Sequence, residues 1–176
     1  MLQAAKLLEG RPEIHFLFVG DGSAKKGLER QRREMRVSNV TFCDPVPLAQ
    51  MPPYYSIAEI GFASSLDIPV HDDARPSKIF PVLASGKPLI FVGKGEGALL
   101  LQAANAGIVV PPEDPEALAK AVIRLVEDKD LSQELGKNGR QFAEKQLQWS
   151  RLIGSWIDGL GSVQPQESVT REHNQI

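Results

Sequence analysis

The chain has 176 residues, 42% hydrophobic and 24% charged, with a formal net charge of −2. These values suit one globular domain with a sizeable core, and the near-neutral charge argues against a nucleic-acid-binding surface, which needs a strong basic excess. Cys43 is the single cysteine, so no internal disulfide can form and a reducing compartment fits. No apolar run approaches the roughly 20 residues of a membrane span.

Residues 1–6 lack the basic region and apolar stretch of a signal peptide and read as the back half of a helix. Residues 14–19 form a continuous apolar run stopped by Gly20-Asp21-Gly22, which predicts a strand buried on both faces. A charged helix is expected over 25–36, a short strand over 39–43, and a helix over 48–58 with Pro52 and Pro53 near its start. A third strand over 59–63 leads into a loop over 64–76 and a helix over 77–84. Then follow a strand over 89–92, a helix over 98–104 and a fifth strand over 108–110. Asp114-Pro115-Glu116 opens a helix running to about 127, with an acidic cap and proline in its first turn. A helix over 131–146 and a short amphipathic one over 152–160 complete the domain, 1–160. The polar stretch 161–176 lacks periodicity and reads as a disordered tail. Apolar runs alternating with amphipathic segments predict an α/β fold with a parallel, doubly wound, Rossmann-like sheet. Ligands of such sheets bind beyond the carboxyl ends of the strands, so the loops there hold the candidate residues.

Gly20, Asp21 and Gly22 follow the first strand, where glycine lets the backbone turn tightly and approach a ligand; a plain strand-to-helix turn uses the same residues. Asp44-Pro45-Val46-Pro47 is a stiff loop whose fixed carbonyl and amide groups suit the edge of a nucleobase. Arg75-Pro76-Ser77-Lys78 is the most informative segment. Ser77 is placed to cap the following helix, whose unpaired N–H groups and dipole suit an anionic diphosphate, and Arg75 and Lys78 add full charges. The alternative is a capped surface helix with two ordinary basic residues. Gly93-Lys94-Gly95-Glu96-Gly97 reads as a mobile loop over the same cleft, or as a simple connection. No zinc-like Cys/His spacing, nucleophile elbow or Walker loop occurs, and Asp72-Asp73 reads as a solvated pair, so no metal site is expected.

Taken together, several stretches resemble the C-terminal domain of family 4 (group 1) retaining glycosyltransferases of GT-B architecture. They are Phe-Leu-Phe-Val-Gly-Asp-Gly at 16–22, Val-Thr-Phe at 40–42, Arg-Pro-Ser-Lys-Ile-Phe at 75–80 and Leu-Ala-Ser-Gly-Lys-Pro-Leu-Ile at 83–90. Further on come Ala-Gly-Ile-Val-Val-Pro-Pro-Glu-Asp-Pro-Glu-Ala-Leu at 106–118 and Leu-Gly-Lys-Asn-Gly-Arg at 135–140. The Pro-Ser-Lys variant resembles the subgroup that builds bacterial surface polysaccharides.

The resemblance implies that Gly20, Asp21 and Gly22 line a donor cleft and that the backbone around Val46 meets the base. Ser77 and Lys78 would hold the diphosphate, and Gly95, Glu96 and Gly97 would lie near the sugar. The family's two glutamates, separated by seven residues, fall at Asp73 and Pro81; proline cannot accept the ribose hydrogen bonds. No cofactor is expected beyond a nucleotide-sugar donor, a UDP-sugar in preference to a GDP-sugar, and no catalytic residue falls in this chain. The family's C-terminal domain begins with a strand and a loop carrying Arg and Lys, which this sequence lacks. That strand would lie between the strands at 14–19 and 59–63. The resemblance therefore implies a fragment lacking its first strand and its N-terminal acceptor-binding domain, and inactive alone. It also implies a cytoplasmic location at the inner face of the membrane, with peripheral association through the N-terminal domain. The alternative is a non-catalytic nucleotide-binding or assembly module.

Overall fold

The computed structural model describes residues 1–66, 68, 73, 75–148, 153, 154 and 156–158. A short first helix, α1 (Leu2–Leu7), precedes strand β1 (Phe16–Val19), helix α2 (Lys25–Glu34) and strand β2 (Val40–Cys43). A single 3-10 turn at Leu48–Gln50 and helix α3 (Pro52–Ile57) lead to strand β3 (Gly61–Ser64). Helix α4 (Ile79–Ala84), strand β4 (Leu89–Val92), helix α5 (Gly95–Ala104) and strand β5 (Gly107–Val110) follow. Helices α6 (Pro115–Glu127) and α7 (Lys129–Gln146) are the longest. Residues 153, 154 and 156–158 are helical too, within the expected 152–160 helix. The expected disordered tail lies outside the described residues.

Every strand pairing is parallel, as expected for an α/β layer, but the strands fall into two sheets. β1 pairs with β2 in the register Phe16↔Val40. β3, β4 and β5 form the second sheet in that order, with Gly61↔Leu89 and Leu89↔Gly107. Among the described residues no ladder joins β1 to β3. The Phe16 and Gly20 N–H groups donate to β2's side, at Asn39 O and Cys43 O, so by alternation those of Leu17 and Val19 face away from it. The Gly61 and Ser65 N–H groups likewise donate toward β4, to Pro88 O and Val92 O, leaving those of Phe62 and Ser64 on the opposite edge. β1 and β3 thus each present an open edge.

What joins the sheets is packing. One face of β4 and β5 (Ile90, Val110) packs with Ala4 of α1, with Leu8 just after it, and with Leu118, Val122 and Leu125 of α6. Phe16 of β1 and Phe62 of β3 both pack against that cluster. Leu89 and Phe91, on the opposite face of β4, pack with Ile79 and Leu83 of α4 and with Leu101 of α5. A third cluster of Leu2, Ala5, Val37 and Val40 lies beside the stacked rings of Phe18 and Phe42, 5.0 Å apart. Helix α1 contributes to two of these clusters and so ties the β1–β2 sheet to α6. The Arg11 guanidinium adds a polar tie, reaching Glu13 at 2.6 Å and Glu127 at the end of α6 at 2.9 Å. β1 is entirely apolar, yet none of its residues is fully buried, and Leu17 is 42% exposed. The strand expected to be buried on both faces is therefore covered only in part, because its outer edge has no neighbouring strand.

Element ends follow local chemistry. Asp114 caps α6 by accepting from Ala117 N–H at 2.7 Å, with Pro115 in the first turn, as expected. Asp128 caps α7 by accepting from Leu131 N–H at 2.9 Å, so α7 starts at Lys129 rather than at 131. The expected 48–58 helix is broken into a 3-10 turn and α3, whose first turn takes the two prolines because those positions need no N–H partner.

Candidate functional site

The expected site residues sort into two groups, one at the carboxyl end of each sheet. At the first sheet, Gly20 has a positive φ of 138°, a conformation that L side chains rarely adopt. Asp21 folds back on the turn, its Oδ1 accepting from Gly22 N–H at 2.8 Å, and stays exposed. Lys25, in the expected charged helix, stiffens this end. Its Nζ donates to Cys43 O at 3.2 Å and pairs with Asp44 at 2.9 Å, and its side chain is only 16% exposed. The hydrogen bond to Asp44 holds the Lys25 ammonium above its usual pKa. Val46 is half-buried between two exposed prolines and makes no hydrogen bond to a described residue. Its backbone groups are available to a ligand edge.

At the second sheet the geometry differs from the expectation in two respects. Ser77 does not cap α4. Helix α4 starts at Ile79, its first-turn neighbour Lys78 is already in right-handed helical conformation, and the Ile79 N–H goes to Pro76 O at 3.1 Å. A capping serine needs extended backbone, and the turn over 76–79 does not provide it. Ser77 and Lys78 are exposed, and neither pairs with a described residue. The glycine-rich stretch is not a mobile loop either. Gly95, Glu96 and Gly97 form the first turn of α5, after an extended N-cap at Lys94. A side chain at Gly97 would enter the ring of Phe91, and one at Gly93 would meet both that ring and Ser65. Glycine here serves close packing, with Phe91 fully buried beneath.

The structure brings Arg75 and Glu96 into direct contact: Nε and Nη2 of Arg75 both reach Glu96 Oε2 at 2.8 Å. That ion pair joins the β3–α4 connection to the first turn of α5. Asp73 is exposed. Pro81 lies in the first turn of α4, where its missing N–H leaves no carbonyl unpaired, and lines a shallow groove with Ala84, with Arg140 and Ala143 of α7, and with Leu147 just after α7. Asp72, His71 and the rest of the 67–74 stretch, apart from residues 68 and 73, lie outside the described residues. Among the described residues no three metal-ligating side chains gather, and no helix is long and apolar enough to cross a membrane.

The parallel α/β layer matches a known family. Residues 1–128 match the glycosyl transferases group 1 family, nearly three quarters of the chain. The chain belongs to that family. Its relatives include a probable sucrose-phosphate synthase 1 of Oryza sativa subsp. indica, 41% identical over 56 residues, which cover 32% of this chain and 5% of the relative. Another is a GDP-mannose-dependent alpha-(1-6)-phosphatidylinositol monomannoside mannosyltransferase of Mycobacterium tuberculosis, 24% identical over 152 residues, covering 82% of this chain and 38% of the relative. The chain thus spans well under half of these curated relatives. Among solved structures, Anabaena Alr3699/HepE in complex with UDP-glucose superposes with a TM-score of 0.75 at 18% identity, over 92% of this chain and 44% of that one. At that identity the likeness speaks for the Rossmann-like GT-B fold of this group 1 domain.

Proposed function

We propose that this chain binds the nucleotide-sugar donor of a group 1 glycosyltransferase that passes a sugar to a glycan or lipid-linked acceptor. The observation that carries the reading is Lys78. It is an exposed cation, unpaired with any described residue, in the connection that follows β3, three residues after Arg75, whose guanidinium reaches the first turn of α5. A pyrophosphate bearing two or more negative charges needs such a cation together with unpaired backbone N–H groups. The N–H groups of Gly95, Glu96 and Gly97 lie in the first turn of a ten-residue helix, where none has an intrahelical acceptor. The backbone at Val46 suits the base, and Gly20, Asp21 and Gly22 the rim beside it. These groups neutralise the leaving diphosphate electrostatically, which is a major catalytic term, and the reading calls for no divalent metal. UDP-glucose in one solved relative and GDP-mannose in the name of another favour a nucleotide sugar without choosing the base. We favour UDP, by the Pro-Ser-Lys resemblance to enzymes of surface-polysaccharide assembly.

The open edges of β1 and β3 favour a second element of the same reading. A further parallel strand seats between them, supplied from outside the described residues together with an acceptor-binding half. A strand seated there would take up the outward-facing N–H groups of Leu17, Val19, Phe62 and Ser64 in parallel ladders. The same open edges, with Pro81 in place of a carboxylate, also favour a non-catalytic assembly module.

The test uses the 176-residue chain alone and co-produced with the polypeptide encoded immediately upstream. UDP should raise the melting temperature, and Lys78→Ala should reduce that rise. Sugar transfer by the co-produced pair separates an enzyme from an assembly module. If neither UDP nor GDP shifts either preparation, the donor-binding reading is wrong.

A further inference from the structure

Arg75 and Glu96 both fall within the candidate donor site, and their mutual geometry assigns them unequal parts. Glu96 meets the guanidinium side-on, its Oε2 accepting from Nε at 2.8 Å and lying at ion-pair distance, 2.8 Å, from Nη2. A guanidinium carries five N–H groups in a planar fork. Side-on pairing of this kind leaves the end-on edge, Nη1 with the outer N–H of Nη2, for a second oxyanion. That edge matches the spacing of two phosphate oxygens, and the Arg75 side chain is 61% exposed, so it is open to a ligand.

Glu96 is the fixed partner. It sits in the first turn of α5, where a carboxylate is favoured by the helix dipole. The backbone on both sides of it is seated on Phe91 and Ser65 through Gly93 and Gly97, with no room for a side chain at either glycine. Arg75 reaches it from the neighbouring β3–α4 connection. The pair is neutral as a unit, so it adds direction where Lys78 adds charge. We propose that Glu96 is a positioning residue: it holds Arg75 above the ends of β3 and β4 so that the free edge of the guanidinium meets the diphosphate. This rests on the donor-binding reading above.

The experiment measures UDP and uridine affinities by calorimetry, in whichever of the two preparations binds UDP more tightly. Wild type is compared with Glu96→Ala, Glu96→Gln, Arg75→Ala, Lys78→Ala and the Arg75→Ala/Glu96→Ala double variant. Glu96→Ala should weaken UDP about tenfold, the scale of one charge-assisted hydrogen bond, and leave uridine unchanged. Glu96→Gln, which keeps an acceptor oxygen, should lose less. The double variant should bind no worse than Arg75→Ala alone, because the two residues act as one unit. Melting temperatures should stay near wild type, since an exposed ion pair contributes little to folding. An unchanged preference for UDP over uridine in Glu96→Ala overturns the inference. Tighter UDP binding in that variant also overturns it, by making Glu96 a competitor for Arg75. A wild type that binds UDP but ignores both Arg75→Ala and Glu96→Ala, while responding to Lys78→Ala, leaves the donor reading standing and removes this inference alone. A wild type that fails to bind UDP in both preparations removes both.

Discussion

Gly97 and Gly22 look alike in the sequence, each in a glycine-rich run after an apolar strand, yet their surroundings differ. A methyl at Gly97 would enter the buried ring of Phe91, whereas one at Gly22 meets nothing within 4 Å. Gly97→Ala should therefore destabilise the fold by about 1–3 kcal/mol, the usual cost of overpacking, and Gly22→Ala should leave the denaturant midpoint near wild type. Glycine density showed that backbone comes close to something at both places; which neighbour it approaches depends on long-range packing. Lys25 was hidden for the same reason, because its partners Cys43 and Asp44 are contributed by a different strand. Glu9 offers a titration test. Its carboxylate accepts from Lys6 and from the N–H and hydroxyl of Ser38, which holds its pKa below the ordinary 4.5. A carboxylate with a lowered folded-state pKa contributes stability that is whole above the unfolded pKa and fades as pH falls through the folded one. The melting-temperature gap between wild type and Glu9→Gln should thus be full at about pH 6 and close progressively below 4.5.

Helix α4 is six residues long and cannot hold itself in helical form; isolated helices shorter than ~12–15 residues are marginal in water. Packing fixes it. Ile79 and Leu83 are fully buried against Phe91 and Leu101, and Gly139 of α7 comes up against Leu83. Leu83→Ala should cost about 2–5 kcal/mol in chemical unfolding and loosen the turn that presents Ser77 and Lys78. Hydrophobic periodicity located α4, but its first residue was misjudged. Ser77 carries the chemistry of a cap, and the tight turn from Pro76 to Ile79 overrides that preference. The start of α5 differs as well: glycines read as a loop form its first turn, two residues after β4, with Gly93 and Gly97 close against Phe91. By contrast, the starts of α6 and α7 rest on an aspartate three residues before the N–H it accepts from, a relation contained in the sequence itself.

The parallel layer is divided between β1 and β3, and that division governs the behaviour of the whole molecule. The N–H groups of Leu17, Val19, Phe62 and Ser64 face the open edges, and amide exchange there should be fast compared with β4, which is paired on both sides. If a further strand seats between the two sheets, co-production with its polypeptide should slow those four amides selectively. Exchange mass spectrometry resolves this, and unchanged rates would rule out that completion. Apolar packing through α1 and α6 holds the sheets together meanwhile, which is why Phe16 and Phe62 share a cluster without sharing a ladder.

The sequence alone determined the α/β class, the positions of all five strands, the cap of α6 and the glycine turn after β1. Each of these depends on residues close in the chain, through strand or helix periodicity and local hydrogen bonding. Only the tertiary structure decided that the strands form two sheets, that Gly97 is packed, that Lys25 locks onto β2, and that Glu96 grips Arg75. Those relations join residues from different strand-and-helix units, and the chain between them carries no record of which side chain will arrive at the other end.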